Sequence, residues 1–156
     1  METNFLQLSV KGEEHFLQAL KIISEHELSL LPVINEQLEM TGVILSKKLL
    51  AAVSIYMGND TPGGIIVLEI NKHNFSFGEI GRLVETNDAY ITQLNSFIEG
   101  DNGQMVVTLK INKIEISDIV ATFQRYDYRV RYYFGEEEYA NELKENYSHL
   151  ISYMNM

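Results

Sequence analysis

The stretch Leu28–Val53, LSLLPVINEQLEMTGVILSKKLLAAV, decides how the first third of the chain folds. Leu31-Pro32-Val33-Ile34 is a short apolar run closed by polar residues, the spelling of a buried strand. Asn35-Glu36-Gln37 reads as a polar turn and Thr41-Gly42-Val43-Ile44-Leu45 as a second strand, with a helix from about Ser46 to Met57. Outward from there, Phe5 to Val10 alternates apolar and polar and predicts another strand. Glu13 to His26 carries Phe16, Leu17, Ala19, Leu20, Ile22 and Ile23 at helical spacing, and its early glutamates suit the positive end of a helix dipole. The order so far is strand, helix, strand, strand, helix.

Gly58-Asn59-Asp60-Thr61-Pro62-Gly63-Gly64 is the clearest break, rich in glycine and holding one of the 2 prolines. Ile65 to Ile70 is then a nearly unbroken apolar run, expected as a buried central strand. Ser76 with Glu79 has capping-box spacing and opens a helix with Phe77, Ile80, Leu83 and Val84 on one face, ending near Thr86-Asn87. Tyr90 to Ile98 is a strand with Tyr90, Thr92, Leu94, Ser96 and Ile98 on one side. Gly100-Asp101-Asn102-Gly103 is a hairpin turn, Met105 to Ile111 a strand, Ile116 to Tyr126 a helix and Tyr128 to Phe134 a strand. This is the split β-α-β-β-α-β pattern of ferredoxin-like folds. A last helix, Glu136 to Met156, shows Tyr139, Leu143, Tyr147, Leu150, Ile151 and Met154 at three- and four-residue steps. It reads as covering its own sheet or as also serving a subunit interface. The fold class is therefore α+β, with units expected at residues 1–58 and 65–156 joined by a linker at 59–64.

Composition narrows the function. Hydrophobic content of 46% supports packed cores, and the absence of cysteine removes disulfides and thiolate metal sites. No apolar run reaches the roughly 18 residues of a membrane span, and METNFLQLSV lacks the layout of a secretory signal. A cytoplasmic location and no membrane partner are expected. A net charge of −10 argues against nucleic acid, which demands clustered cations. The nearest approach to a cluster is Arg125, Arg129 and Arg131, the last two sharing one strand face that reads as a solvent face.

Catalytic patterns are lacking too. His15, His26, His73 and His149 have no metal-ligand spacing, and no phosphate loop, nucleophile elbow or zinc-type His-Glu-x-x-His occurs. Glu136-Glu137-Glu138 reads as a solvated helix start. A non-catalytic protein is expected.

Residues 5–57 resemble one CBS motif and residues 64–134 an ACT-like domain. GGIIVLEI, FSFGEIGRLVETNDAYI, VTLKIN and IVATFQRYDYRV, in that order, resemble bacterial CBS–ACT regulators of the acetoin-utilisation-protein type. The resemblance implies a regulatory ligand sensor with an adenosine nucleotide or S-adenosylmethionine in the CBS cleft, and an amino acid at the ACT-like turn. It implies two CBS motifs in tandem where this chain shows one, so a second copy is expected from another subunit or from a longer protein of which this is a piece. A homodimer or higher homo-oligomer follows.

By that resemblance the CBS cleft falls on Val10, Pro32, Gly42, Ser46 and Lys48. The family pattern places a hydroxyl and then an acid where this chain has Leu45 and Lys48. A lysine cannot accept a hydrogen bond from ribose. Ser46 can offer its hydroxyl one residue along and Lys47 or Lys48 can pair with phosphate; otherwise Ser46 is an N-cap and the lysines are solvated. At the ACT-like turn the family's glycine is missing before Gly78, leaving Asn71, Asn74 and Ser76 as polar candidates, with Phe75 crowding a ligand or capping the core. The second reading is an interaction or oligomerisation domain that has lost its small ligands.

Overall fold

A computed structural model of the chain describes residues 8–100, 103–135 and 154. Its contacts divide it into Met1–Asp60 and Thr61–Met156. In the first unit, β1 (Val10–Lys11), α1 (Phe16–His26), β2 (Leu30–Ile34), β3 (Met40–Leu45) and α2 (Ser46–Tyr56) follow one another. The sheet order is β1-β2-β3, with β1 parallel and β3 antiparallel to β2. Asn35 shapes the β2–β3 turn: its Oδ1 accepts from the amides of Gln37 (3.0 Å) and Glu39 (2.9 Å), while Leu38 takes a left-handed φ of 63°. Alternation along the strands then sends Leu31, Val33 and Ile44 into a core with Val10, Ala19, Ile23 and Leu49. Their neighbours Leu30, Val43 and Leu45 lie on the opposite face, exposed.

The beginning of this unit differs from the expectation in three places. β1 is confined to Val10–Lys11, the residues that find partners at Val33 and Ile34; Phe5 to Gln7 lie outside the described residues. α1 starts at Phe16, and its first turn holds no acid, because His15 Nδ1 accepts from the Leu17 amide (3.3 Å) and Glu14 is used one turn earlier, accepting from the Lys11 amide. Ser46 is the first helical residue of α2 and not its cap. Leu45 stands at the cap without a side-chain bond, and the Ser46 amide donates to the Ser29 carbonyl at 2.9 Å.

The second unit runs β4 (Ile65–Asn71), a 3₁₀ turn (Lys72–Asn74), α3 (Phe77–Glu85), β5 (Ile91–Glu99), β6 (Gln104–Ile111), α4 (Ser117–Arg125) and β7 (Arg129–Phe134). Its sheet is antiparallel throughout, in the order β5-β6-β4-β7, so the apolar β4 is interior. Ile66, Leu68, Val107, Leu109 and Ile111 from the sheet meet Ile80, Leu83, Val84, Ile119 and Phe123 from the helices in one buried core. β4 is entered through Gly63-Gly64. Gly64 is bonded to the Lys113 carbonyl (2.9 Å) and the Ile111 amide (2.8 Å), and the chain runs so close to β6 that a Cβ on Gly63 would overlap the Ile111 carbonyl oxygen.

The Ser76 hydroxyl accepts from the Glu79 amide at 3.3 Å, the expected cap of α3. Phe77 does not join the buried face; it is 59% exposed. Phe75, just before the cap, packs against the core that contains Ile80, the arrangement of a hydrophobic staple. Along β5 a register shift between Ile91 and Gln93 breaks the expected alternation, so Ile91 and Leu94 meet the core while Tyr90 and Ile98 are exposed. Gly100 and Gly103 take φ of 65° and 73°, flanking Asp101-Asn102, which lie outside the described residues. The expected helix Glu136 to Met156 also lies outside them, except for Met154, which is helical and exposed.

Candidate functional site

β4 leaves the sheet at Asn71, whose Oδ1 accepts from the His73 amide (3.0 Å) and so starts the 3₁₀ turn toward α3. β7 pairs with β4, Glu69 opposite Arg129, and this brings the α4–β7 turn, with Asp127 in a left-handed φ of 60°, beside that end of the strand. Between the two turns is a groove of about 300 Å³ whose polar walls include Glu69, Asn71, Asn74, Glu79, Asp127 and Arg129. The volume is at the lower end of small-molecule sites.

Its charges are partly committed. Arg129 and Arg131 each place a nitrogen 2.8 Å from a different oxygen of Glu69, and Arg131 also pairs with Glu99. The Arg131 guanidinium holds the Glu99 carboxyl below its usual 4.5. Glu79 and Asp127 also line the groove with carboxylates, alongside the amide groups of Asn71 and Asn74. The surface offers hydrogen-bond donors from amides and Arg129, and acceptors from carboxylates, a combination able to hold a small zwitterion or polar effector.

Tyr128 closes one side. Its ring stands edge-on to Phe123 at 5.4 Å, and burial, aided by its hydrogen bond to Glu79, pushes its hydroxyl up from 10.0 to about 12. The folded chain therefore holds this proton more tightly than the unfolded chain. The resulting stability is intact below pH 10 and is lost as pH rises from about 10 to about 12. Alkaline unfolding curves should show this loss, and Tyr128→Phe should remove that part of the pH dependence. An unchanged profile would contradict the assignment.

Of the residues expected at the ACT-like turn, Asn71 and Asn74 line the groove, whereas Ser76 caps α3. Those expected in the CBS cleft fall in two places. Val10 and Gly42 share a row across the sheet, both opposite Val33, with buried Pro32 one residue away. Ser46 and exposed Lys48 start α2, Ser46 lying four residues, or about 13 Å of extended strand, beyond Gly42. A Cβ on Gly42 would meet nothing within 4 Å, so that row is open on the Gly42 side. A separate groove of about 410 Å³ lies at the other end of the sheet, lined by Lys11, Glu13, Asn35, Glu36 and Thr41 among others, and includes none of these five.

Glu69, Glu79, Asp127 and Arg129 escaped sequence reading because the β4–β7 pairing assembles them from positions far apart. The one local signal was Glu69, an acid inside an apolar strand. Arg129 and Arg131 are not merely solvated: a bulge between Val67 and Leu68 shifts the register, and both arginines reach Glu69.

Among the described residues no group of three or more His, Asp or Glu could hold a metal, and no helix is long and apolar enough to cross a membrane. No protein-family model matches the chain, and no curated protein does. Among solved structures, a CBS domain pair/ACT domain protein from Thermotoga maritima is similar at 26% identity and a TM-score of 0.31, over 32% of this chain. The match covers 41% of that protein's own length.

Proposed function

We propose that the chain is a regulatory, non-catalytic ligand sensor, a CBS-type half-module coupled to an ACT-like domain, whose effector seats in the groove between the β4–α3 and α4–β7 turns. The observation that carries this reading is that Asn71 and Asn74, candidates from the sequence, line one groove with Glu79, Asp127 and Arg129. An amino acid suits it, its ammonium facing the carboxylates and its carboxylate facing amide or guanidinium donors. In the first unit an adenosine nucleotide or S-adenosylmethionine would lie along the Gly42 row toward Ser46, with a second CBS motif closing the cleft. The exposed Leu30, Val43 and Leu45 give that second motif an apolar face to cover, which supports a homo-oligomer or a neighbouring motif in a longer protein. Regulation requires only that the effector bind one arrangement better than another.

The same apolar face supports the second reading, an interaction domain without a small ligand. Thermal denaturation with adenosine nucleotides, S-adenosylmethionine and a panel of amino acids separates the two. A ligand at about a hundredfold its Kd should stabilise by about 2.7 kcal/mol. An amino-acid shift that Asp127→Asn and Asn74→Ala weaken locates the effector in the groove. A nucleotide shift weakened by Ser46→Ala locates it at β3–α2. A flat response from this chain and from a version carrying a second CBS motif would sink the sensor and leave the interaction domain.

A further inference from the structure

The C-terminal ends of α3 and α4 meet at a cleft of about 510 Å³ lined by Thr86, Asn87, Thr122, Arg125 and Tyr126. Its floor is a hydrogen-bonded set. Thr122, only 2% exposed and the one buried polar residue among those described, accepts from Asn87 Nδ2 (3.2 Å) and from the Arg125 guanidinium (3.1 Å). Asn87 Nδ2 also donates to the Leu83 carbonyl at 2.9 Å, and Lys113 Nζ donates to the Asn87 carbonyl at 2.8 Å. Cations here answer the negative ends of two helix dipoles, which accounts for their charge. It does not account for a guanidinium fixed by a buried hydroxyl at a cleft wall.

A guanidinium has five N–H donors, and the bond to Thr122 uses one. Among the described residues Arg125 makes no ion pair, in contrast to Arg129 and Arg131, and the Tyr126 hydroxyl has no partner. The chain holds 22 acids to 12 basic residues, and the two grooves described above are lined by carboxylates: Glu13 and Glu36 in one, Glu69, Glu79 and Asp127 in the other. None lines this one.

We propose that this cleft is a second binding site, taking an oxyanion, the carboxylate or phosphate group of a small molecule, on the Arg125 guanidinium with the Tyr126 hydroxyl as a further donor. Planar oxyanion faces match the arginine fork, and the cleft's volume is that of small-molecule sites. The site adjoins the effector groove, Tyr126 lining both, while Thr86, Asn87, Thr122 and Arg125 line this cleft and not the groove.

The test is an amide-shift NMR titration of the full chain with inorganic phosphate and, separately, acetate, at constant ionic strength. Saturable shifts are expected at Thr86, Asn87, Thr122 and Tyr126, with affinity about tenfold lower in Arg125→Gln and a few-fold lower in Tyr126→Phe. Saturation by phosphate alone assigns a phosphate ester, by acetate alone a carboxylate, and by both the shared oxyanion chemistry. Absence of saturable shifts, or shifts undiminished in Arg125→Gln, overturns the proposal. The spectrum of each unliganded variant shows whether it folds. If Arg125→Gln does not fold, Tyr126→Phe decides, read at Thr86, Asn87 and Thr122, which line this cleft and not the effector groove, and an unchanged affinity there overturns the site.

Discussion

Phe123→Ala is expected to destabilise the second unit by about 3–5 kcal/mol, the range for truncating a fully buried aromatic. Phe123 is 0% exposed, is the largest of the fully buried side chains among the described residues and supports Tyr128 edge-on at 5.4 Å. The cost combines lost transfer energy with a cavity that the surrounding Ile and Val residues of sheet and helix can fill only partly. Urea unfolding should show a lower midpoint at unchanged slope. The same variant should let the Tyr128 hydroxyl titrate closer to its ordinary value, since burial is the main cause of its rise. A cost below about 1 kcal/mol would mean that the core does not close tightly on Phe123.

Three glycine-to-alanine changes should give three different results. At Gly63 the new Cβ would overlap the Ile111 carbonyl oxygen, a backbone atom held in the sheet, so β4 or β6 must move; about 3 kcal/mol of destabilisation is expected. At Gly64 the clash is with Ile116 Cγ2 (2.6 Å) and Cδ1 (2.8 Å), atoms of a buried β-branched side chain that yields more than backbone but has little room to turn, so about 2 kcal/mol is expected. At Gly81, inside α3, nothing lies within 4 Å of the added Cβ, and alanine should stabilise by about 0.5–1 kcal/mol. Chemical denaturation of the three variants checks the order. Gly63→Ala matching Gly81→Ala would show that the chain entering β4 does not approach β6 so closely.

Most elements were legible from chemistry that acts over a few residues. Ser76 with Glu79, the polar Asn35 turn and the paired glycines at 100 and 103 each depend only on their near neighbours, and each stands where its chemistry placed it. The misreadings share another cause. Whether Glu13 or Phe16 begins α1 depended on an imidazole acting as a cap, which spacing cannot distinguish from an acidic first turn. Phe77 had the right period for the buried face, but it is Phe75 that packs against the core containing Ile80. The candidate groove was half legible: Asn71 and Asn74 were visible as polar residues in a turn, but Glu79, Asp127 and Arg129 depended on strand pairing and on a bulge that no local pattern announces.

Arg131 has a mechanical consequence. Its guanidinium belongs to one outer strand, holds Glu69 of the interior β4 and reaches Glu99 of the opposite outer strand, so one side chain laces the width of a four-stranded sheet. A strand at the rim is the one most free to creep along its neighbour, and a slip of a single residue would turn Leu94 outward. Glu99, at the last position of β5, is tethered against that slip at the end remote from the Ile91–Gln93 irregularity. Acid should loosen this lace at Glu99: its carboxyl titrates below 4.5, so the tether is complete above that pH and fails as protonation proceeds below it. The rim strand would then lose its ionic hold at its far end.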